Sequence, residues 1–425
     1  MAKKVIHIIG GGTVYHVRNH LALCAPAYGR TARTLAELCR NSSMDISLHL
    51  TKMAGGLLET NEQIGDLLKL LTANPATKII FMSVALIDFE GTVGGTSGKH
   101  AERLSSRTEY PPCIEMKPAP KLLGTIRKNR KDIFLVGFKT TTGATEDEQY
   151  IAGLNLLKEA SANLILANDV VTRTNMVITP EEARYHVTKD RGEALKGLVE
   201  MALTRSHLTF TRSTVVGGEF VPWDSDLVPS SLRSVVNHCI SQGAYKPFRG
   251  ATVGHFACKL NATTFLTSIR KSNFNDLQKN GLVKVVTDGP DSVIAYGAKP
   301  SVGGQSQRIV FNDHQEYDCI VHFHCPKKVG SEVPIVSQRE YECGSHECGR
   351  NTSKGLKRFG NLSAVHLDEH GPNIVFHHSI NPQEVIKFIN DNFDLAEKTG
   401  GYVSLGQILG TPDHLEDLQK YTNAF

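Results

Sequence analysis

What this chain lacks narrows its class. No apolar run approaches the roughly 18–20 residues that a membrane-spanning helix needs, so no transmembrane segment is expected. Charge of neither sign is in excess. The formal net charge is +4 over 425 residues, which demands neither nucleic acid nor a membrane surface and favours anionic substrates such as phosphates. The nine cysteines are odd in number and scattered, an arrangement expected of reduced thiols in a cytosol rather than of a disulfide framework. No internal repeat or low-complexity tract is present. Met1-Ala2-Lys3-Lys4 leads straight into the strand-like Val5–Ile9, without the longer apolar region and cleavage site of a signal peptide. A cytoplasmic protein is the expectation.

What remains is ordinary globular composition, 40% hydrophobic and 21% charged, in a chain long enough for two domains of about 200 residues each. The first half alternates strand-like runs with helical patterns. Strands are predicted at Val5–Ile9, Asp45–Leu50, Lys78–Leu86, Ile133–Lys139, Asn163–Ala167 and Glu182–Val187. Helices are predicted at Thr31–Cys39, Asn61–Thr72, Glu146–Ala160 and Arg191–Thr204. Such alternation indicates a doubly wound, Rossmann-like parallel sheet. Beyond Arg205 the pattern becomes β-rich, with helices at Ser230–Gln242 and Pro382–Leu395 and short strands between, among them Cys319–Phe323 and Asn373–Phe376. The predicted domains are residues 1–205 and 206–425.

In the first domain, Gly10, Gly11, Gly12 and Thr13 stand where the first strand ends. Glycines there let a phosphate or ribose approach the backbone, although they also close purely structural turns. Asp88 ends a further strand. Lys99 follows a Gly/Thr/Ser-rich stretch that reads as a mobile loop. Lys117 and Lys121 flank prolines at a helix start, where phosphates are favoured. Phe138 and Asn168 also fall at strand ends. Asp88 can equally cap a strand, and Asn168 can form a turn.

The order of these segments, Gly11–Thr13, Ser83–Asp88, Lys99, Pro120-Lys121, Gly137-Phe138 and Ala167–Val170, resembles phosphopantothenoylcysteine synthetase over roughly residues 3–205. That resemblance implies a carboxylate activated by a nucleoside triphosphate, CTP or ATP with Mg2+, and then attacked by an amine, in coenzyme A synthesis by default. By resemblance Lys99 closes over the acyl-phosphate, Asn168 hydrogen-bonds the intermediate, and Lys121 with Gly10–Thr13 holds the triphosphate. The family's serine-asparagine substrate loop is replaced, after Val17-Arg18, by the longer Asn19–Arg30 stretch. This puts the identity of the carboxylate in question.

In the second domain, His322 and His324 are two apart on a predicted strand and share a face, so one ion can take both. His370, in Asp368-Glu369-His370-Gly371, is a third candidate, with His377-His378 competing for the role. Imidazole suits zinc, and three protein ligands leave a catalytic position open. These residues, with Gly254–Ala257, Phe265–Ser268 and Lys299-Pro300-Ser301, resemble class II aldolases and adducin-type domains over about residues 210–405. The implied fold is α/β/α around a mostly antiparallel sheet. The implied ligands are His322, His324 and His370 on Zn2+, and the implied phosphate pocket is Gly254, Ser268 and Ser301. The implied chemistry is cleavage of a phosphorylated ketose. Gly303 falls where that family carries its proton-moving glutamate, and Glu342, Asp368 and Glu369 are alternatives. Glu342–Cys348, with two thiols and an imidazole, reads as a substrate loop rather than a second metal loop. Both families imply self-association. A fused ligase and lyase acting on phosphorylated small molecules is expected. A ligase with a non-catalytic metal-stabilised domain and a non-enzymatic nucleotide-sensing assembly protein are the alternatives.

Overall fold

The structure, a computed structural model, describes residues 3–399. Residues 400–425, the end of the second expected domain, lie outside the described residues. The chain divides into two compact units. One runs to Pro180 and resumes over Arg184–Ser206. The other holds Glu181–Ala183 and the chain from His207.

Among the described residues, the first unit is built on a seven-stranded sheet. In spatial order its strands are Arg184–Thr188, Asn175–Ile178, Leu164–Asp169, Phe134–Thr141, Thr77–Met82, Val5–Gly10 and Asp45–Leu50. The last five are mutually parallel, and the first two are antiparallel additions. Ile6, Ile8, Ile79, Ile80, Leu135, Val136, Ile165 and Leu166 are all inaccessible. Successive residues point to opposite faces, so both faces are covered, as a doubly wound parallel sheet requires. The helices start where the sequence supplies caps. Thr60 with Gln63 and Thr145 with Glu148 form capping boxes for Asn61–Ala73 and Glu146–Ala160. Asp190 accepts from Gly192 and Glu193 N–H at the head of Arg191–Arg205. Each satisfies donors that the first turn leaves open.

Two local differences from the sequence reading have plain causes. The stretch after Val17-Arg18 is not a long loop. Leu21–Cys24 folds back on Val14–Arg18 as an antiparallel hairpin, turned at Asn19-His20. The strand Asn175–Ile178 was not expected, because its four buried residues sit between strands as a short insertion without the alternation that marks a half-exposed strand.

Among the described residues, the second unit holds a ten-stranded sheet, antiparallel except at its two edges, where Arg212–Val216 pairs parallel with Ser292–Tyr296 and Ile335–Val336 pairs parallel with Leu362–Leu367. At its centre His255–Lys259, Cys319–His322 and Gly371–Phe376 lie side by side. One face packs Phe256, Val321, Ile374 and Phe376 against Leu232 and Val236 of the helix Ser230–Ser241 and Val385 and Ile389 of Pro382–Asn392. The other packs Ala257, Ile320 and Val375 against Val310 and Phe311 of the helix Val302–Asp313. That helix and His346–Gly355 were not predicted. Both carry polar or glycine residues where an amphipathic pattern needs apolar ones. No helix among the described residues is long and apolar enough to cross a membrane.

One buried titratable chain links three strands of the first sheet. His7 Nδ1 lies 3.1 Å from His49 Nε2, and His7 Nε2 lies 3.2 Å from Thr77 Oγ1. The Thr77 hydroxyl already donates to Leu71 O, so it accepts from His7. Desolvation, then the neighbouring His49, lowers the His7 pKa to about 4. Between pH 6.5 and 4 the unfolded chain therefore binds a proton that the folded chain refuses, and stability is lost as pH falls through that window. The loss due to His7 is expected to be on the order of 2 kcal/mol. Urea unfolding at stepped pH checks this: His7→Leu should show a shallower decline than wild type.

Candidate functional site

In the first unit the carboxyl ends of the parallel strands share one edge, with the topological switch between Val5–Gly10 and Thr77–Met82. Ligands of open α/β sheets bind there. Gly10, Gly11 and Gly12 run into this crevice, and each is dictated by close packing. An added Cβ would stand 2.2 Å from Ala32 Cβ, 2.1 Å from Thr51 Oγ1 and 1.9 Å from Ala25 O, respectively. Thr13 is buried. Its hydroxyl donates to Asn61 Oδ1 at 2.7 Å and accepts from Ile87 N–H at 2.9 Å, so it faces protein rather than solvent. Asp88 and Lys121 stand together on the exposed rim as an ion pair at 2.6 Å.

Lys99 is held by more than a loop. The preceding Gly98 donates its N–H to His16 O and Val17 O. The buried Arg18 donates to Val17 O at 2.6 Å, Thr96 O at 2.7 Å and Val93 O at 3.1 Å, which clasps the hairpin to the turn before Lys99. Lys99 Nζ is 3.5 Å from Glu59 Oε2, which Lys52 also meets at 2.8 Å, while His16 Nε2 is 3.4 Å from Oε1. The hydrogen bond from Lys52, opposed by partial desolvation and helped by the Lys99 charge, holds the Glu59 carboxyl below its usual range.

A second grouping surrounds Asn168, whose Oδ1 accepts from the Thr140 hydroxyl at 3.3 Å. Phe138, half-buried, lies on the same strand as Thr140, opposite Leu166. The next residue, Asp169, was not singled out in the sequence. It is buried and accepts from Thr141 Oγ1, Gly143 N, Ala144 N, Val171 N and Thr172 N at 2.8–3.1 Å. Desolvation opposes its ionisation, but these bonds outweigh it and keep the carboxyl well below the usual range. Asp169 thereby ties the loops after two strands and fixes Asn168 beside them. No hydrogen bond or ion pair among the described residues links the Lys99 and Asn168 groupings.

In the second unit the structure brings His322, His324 and His370 together. All three are buried, and their ligand atoms lie within 4.8 Å of one another. His322 Nδ1 donates to Pro372 O at 2.8 Å, which leaves Nε2 as the lone-pair nitrogen, 3.3 Å from His370 Nε2. Two nitrogens on a tetrahedral zinc at about 2.0–2.1 Å stand at roughly that spacing. Burial lowers the His322 pKa to about 4, against the Pro372 hydrogen bond and with His366 contributing. The imidazole is therefore neutral at pH 7, the form a metal ligand requires. Gly371 makes the approach feasible: at φ +153° an added Cβ would lie 2.1 Å from Phe323 O. Glu369 takes a left-handed φ of 54° in the same turn, a strained conformation of the kind found at functional sites.

The competing assignment of His377-His378 to this cluster is excluded by topology, because they follow the far end of the strand that His370 precedes. Glu342–Cys348 is not a free loop. Ser345 Oγ accepts from Cys348 N–H at 3.0 Å and starts the helix His346–Gly355. Among the described residues it belongs to no group close enough to share an ion.

Gly303 has a local explanation that sequence alone did not provide. A Cβ there would stand 2.2 Å from His255 Cδ2 and 2.3 Å from His255 Nε2. His255 fills the room that a side chain at 303 would need. It pairs across the sheet with His322, which pairs in turn with Asn373, and its ring stacks on His322 at 4.7 Å. Gln307 Nε2 donates to His255 Nε2 and to Asn373 Oδ1, both at 3.2 Å.

Gly254, at φ +119°, would press a Cβ to 2.6 Å from His322 O. Ser301 N–H donates to Ser268 O at 2.9 Å, so these two serines meet at the start of Val302–Asp313. Ser301 does not cap that helix with its side chain. Ser268 Oγ is buried with no hydrogen-bond partner among the described residues. An open helix N-terminus beside an unmatched hydroxyl suits an anion.

Comparison with known proteins returns both resemblances. No family model matches the chain. It is 22% identical over 172 residues to the coenzyme A biosynthesis bifunctional protein CoaBC of Thermococcus kodakarensis, a match covering 39% of this chain and 41% of that protein. The chain thus spans less than half of that curated relative. Among solved structures it is similar to the DNA/pantothenate metabolism flavoprotein of Streptococcus pneumoniae, with 20% identity and a TM-score of 0.40, covering 47% of this chain and 97% of the other. It is also similar to L-fuculose 1-phosphate aldolase, with 14% identity and a TM-score of 0.30, covering 47% of this chain and 100% of the other.

The His255–Gly303 contact yields a test. Gly303→Ala should destabilise the second unit by about 1–3 kcal/mol through overpacking. In a His255→Ala background the same change should cost less than about 0.5 kcal/mol. A double-mutant cycle by urea unfolding measures the difference.

Proposed function

We propose that the chain is a bifunctional enzyme. The first unit would join a carboxylate to an amine at the expense of CTP or ATP with Mg2+, as in phosphopantothenate–cysteine ligation. The second would be a zinc-dependent lyase of the class II aldolase type for a phosphorylated sugar or keto substrate. The observation that carries the second part is the buried histidine triad, in which His322 presents a neutral Nε2. For the first part, support comes from the anchored turn that carries Lys99 beside Glu59, from Asn168 near the end of its strand, and from the similarity to CoaBC.

In the ligase, Lys99 leaves Glu59 to neutralise charge developing on the acyl-phosphate. Asn168, fixed by Thr140 and by Asp169, hydrogen-bonds the intermediate. Lys121 exchanges Asp88 for a phosphate oxygen, the Gly10–Thr13 joint shapes the crevice, and Phe138 packs beside it. The hairpin Val14–Cys24 replaces the family's substrate loop and selects the carboxylate. In the lyase, His322, His324 and His370 hold the metal, which when bound supplies Lewis-acid polarisation of a carbonyl. Gly254, Ser268 and Ser301 take the phosphate at the open helix N-terminus. A homo-oligomer in the cytoplasm completes this reading. A second reading has its own observation: His255 fills the room that a side chain at 303 would need, which favours a metal-stabilised domain without lyase turnover.

Pyrophosphate release is the direct assay. With CTP or ATP, 4′-phosphopantothenate and cysteine, Lys99→Ala should lose at least about 100-fold in rate. Absence of turnover with either nucleotide redirects the search to other carboxylates. For the second unit, cleavage of a phosphorylated ketose that disappears in His322→Ala supports the lyase, and metal binding without cleavage supports the second reading.

A further inference from the structure

The strands that bring the triad together carry another set of donors at their opposite ends. Cys319 pairs with Phe376 and His322 with Asn373, so Asp318 meets His377 and His378 on the order of 15 Å along the sheet from His322, at roughly 3.4 Å per residue. We infer that Asp318, His377 and His378 form a second divalent-metal site, independent of the triad and of the activity proposed for it.

The ligand atoms of the three lie within 4.8 Å of one another. Asp318 is anchored from one side, its Oδ1 accepting from His378 N–H at 2.7 Å. Its Oδ2 is directed at both imidazoles, in contact with His378 Nδ1 and 3.8 Å from His377 Nε2. His377 Nδ1 is bonded to Ser379 Oγ at 2.8 Å. Ser379 N–H also donates to Nδ1 at 3.3 Å, so the ring is held with Nε2 toward the carboxylate. The two rings stand 4.2 Å apart. His377 and His378 are about half exposed and Asp318 is 15% exposed, so an ion can enter and water can complete its coordination.

The neighbouring thiols do not compete. Cys258 and Cys319 are buried in the apolar core, and the donor set is two imidazoles and one carboxylate. That mixture suits zinc, nickel, cobalt or copper and leaves positions open. Coordination through His378 Nδ1 requires the ring to carry its proton on Nε2. The ion would join the two strand ends and, through the Ser231 hydroxyl on His378 O at 2.7 Å, the start of the helix Ser230–Ser241.

Equilibrium dialysis of the full chain with Zn2+ or Co2+ alone tests this. The His322→Ala/His370→Ala variant should still bind an ion and gain thermal stability from it. Adding His377→Ala/His378→Ala should abolish both effects. In the otherwise native chain, His377→Ala/His378→Ala should lower the bound metal by one ion per chain. Because these side chains are exposed, an unchanged circular dichroism spectrum is expected for that variant. The inference is overturned if the triad variant binds no ion, or if the His377/His378 change leaves stoichiometry and metal-dependent stability as they were. Neither result bears on whether the ligase or lyase turns over.

Discussion

The histidine cluster of the second unit depends on one pairing, Cys319–His322 against Gly371–Phe376. Its register sets His322 beside Asn373, and the turn before the second strand delivers His370. Gly371 lets that turn lie on the Phe323 carbonyl, where any Cβ would collide. A one-residue slip would send His322 to the apolar face that holds Phe256 and Phe376. The row His255–His322–Asn373, joined by Gln307, leans on the same register. Burying so many polar groups is costly unless they are bonded, and here most of the bonds run across or onto these central strands.

The first unit solves a different problem. Its ligand edge is made of loops that follow strand ends, and loops need anchors. Asp169 supplies one by gathering four N–H groups and a hydroxyl, and Arg18 supplies another by spanning three carbonyls. Both are charged groups that a surface loop could leave in water. Here their burial converts them into fixed points for Asn168 and Lys99.

The parallel sheet was legible because its strands are near-continuous apolar runs with turn residues between them, and the helices because their helical patterns alternate with those runs. The histidine triad was legible from a period-two pair and a His-Gly step. Other features were not, for physical reasons. The Leu21–Cys24 strand is half exposed and lacks a strong turn signal, so it read as loop. Val302–Asp313 begins with two glycines, which lower helix propensity, yet those glycines exist because His255 and Thr267 occupy the space beside them. The exchange of a side chain at 303 for one at 255 is a contact between distant residues, and no local pattern carries it. The same holds for Asp318 with His377-His378, which only strand pairing reveals.

X-ray absorption at the zinc edge tests the central claim most directly, using zinc-loaded chain in which His377 and His378 have been replaced by alanine. The account predicts three imidazole nitrogens at about 2.0–2.1 Å and no sulfur. A sulfur shell at about 2.3 Å, or fewer than three imidazoles, would contradict it.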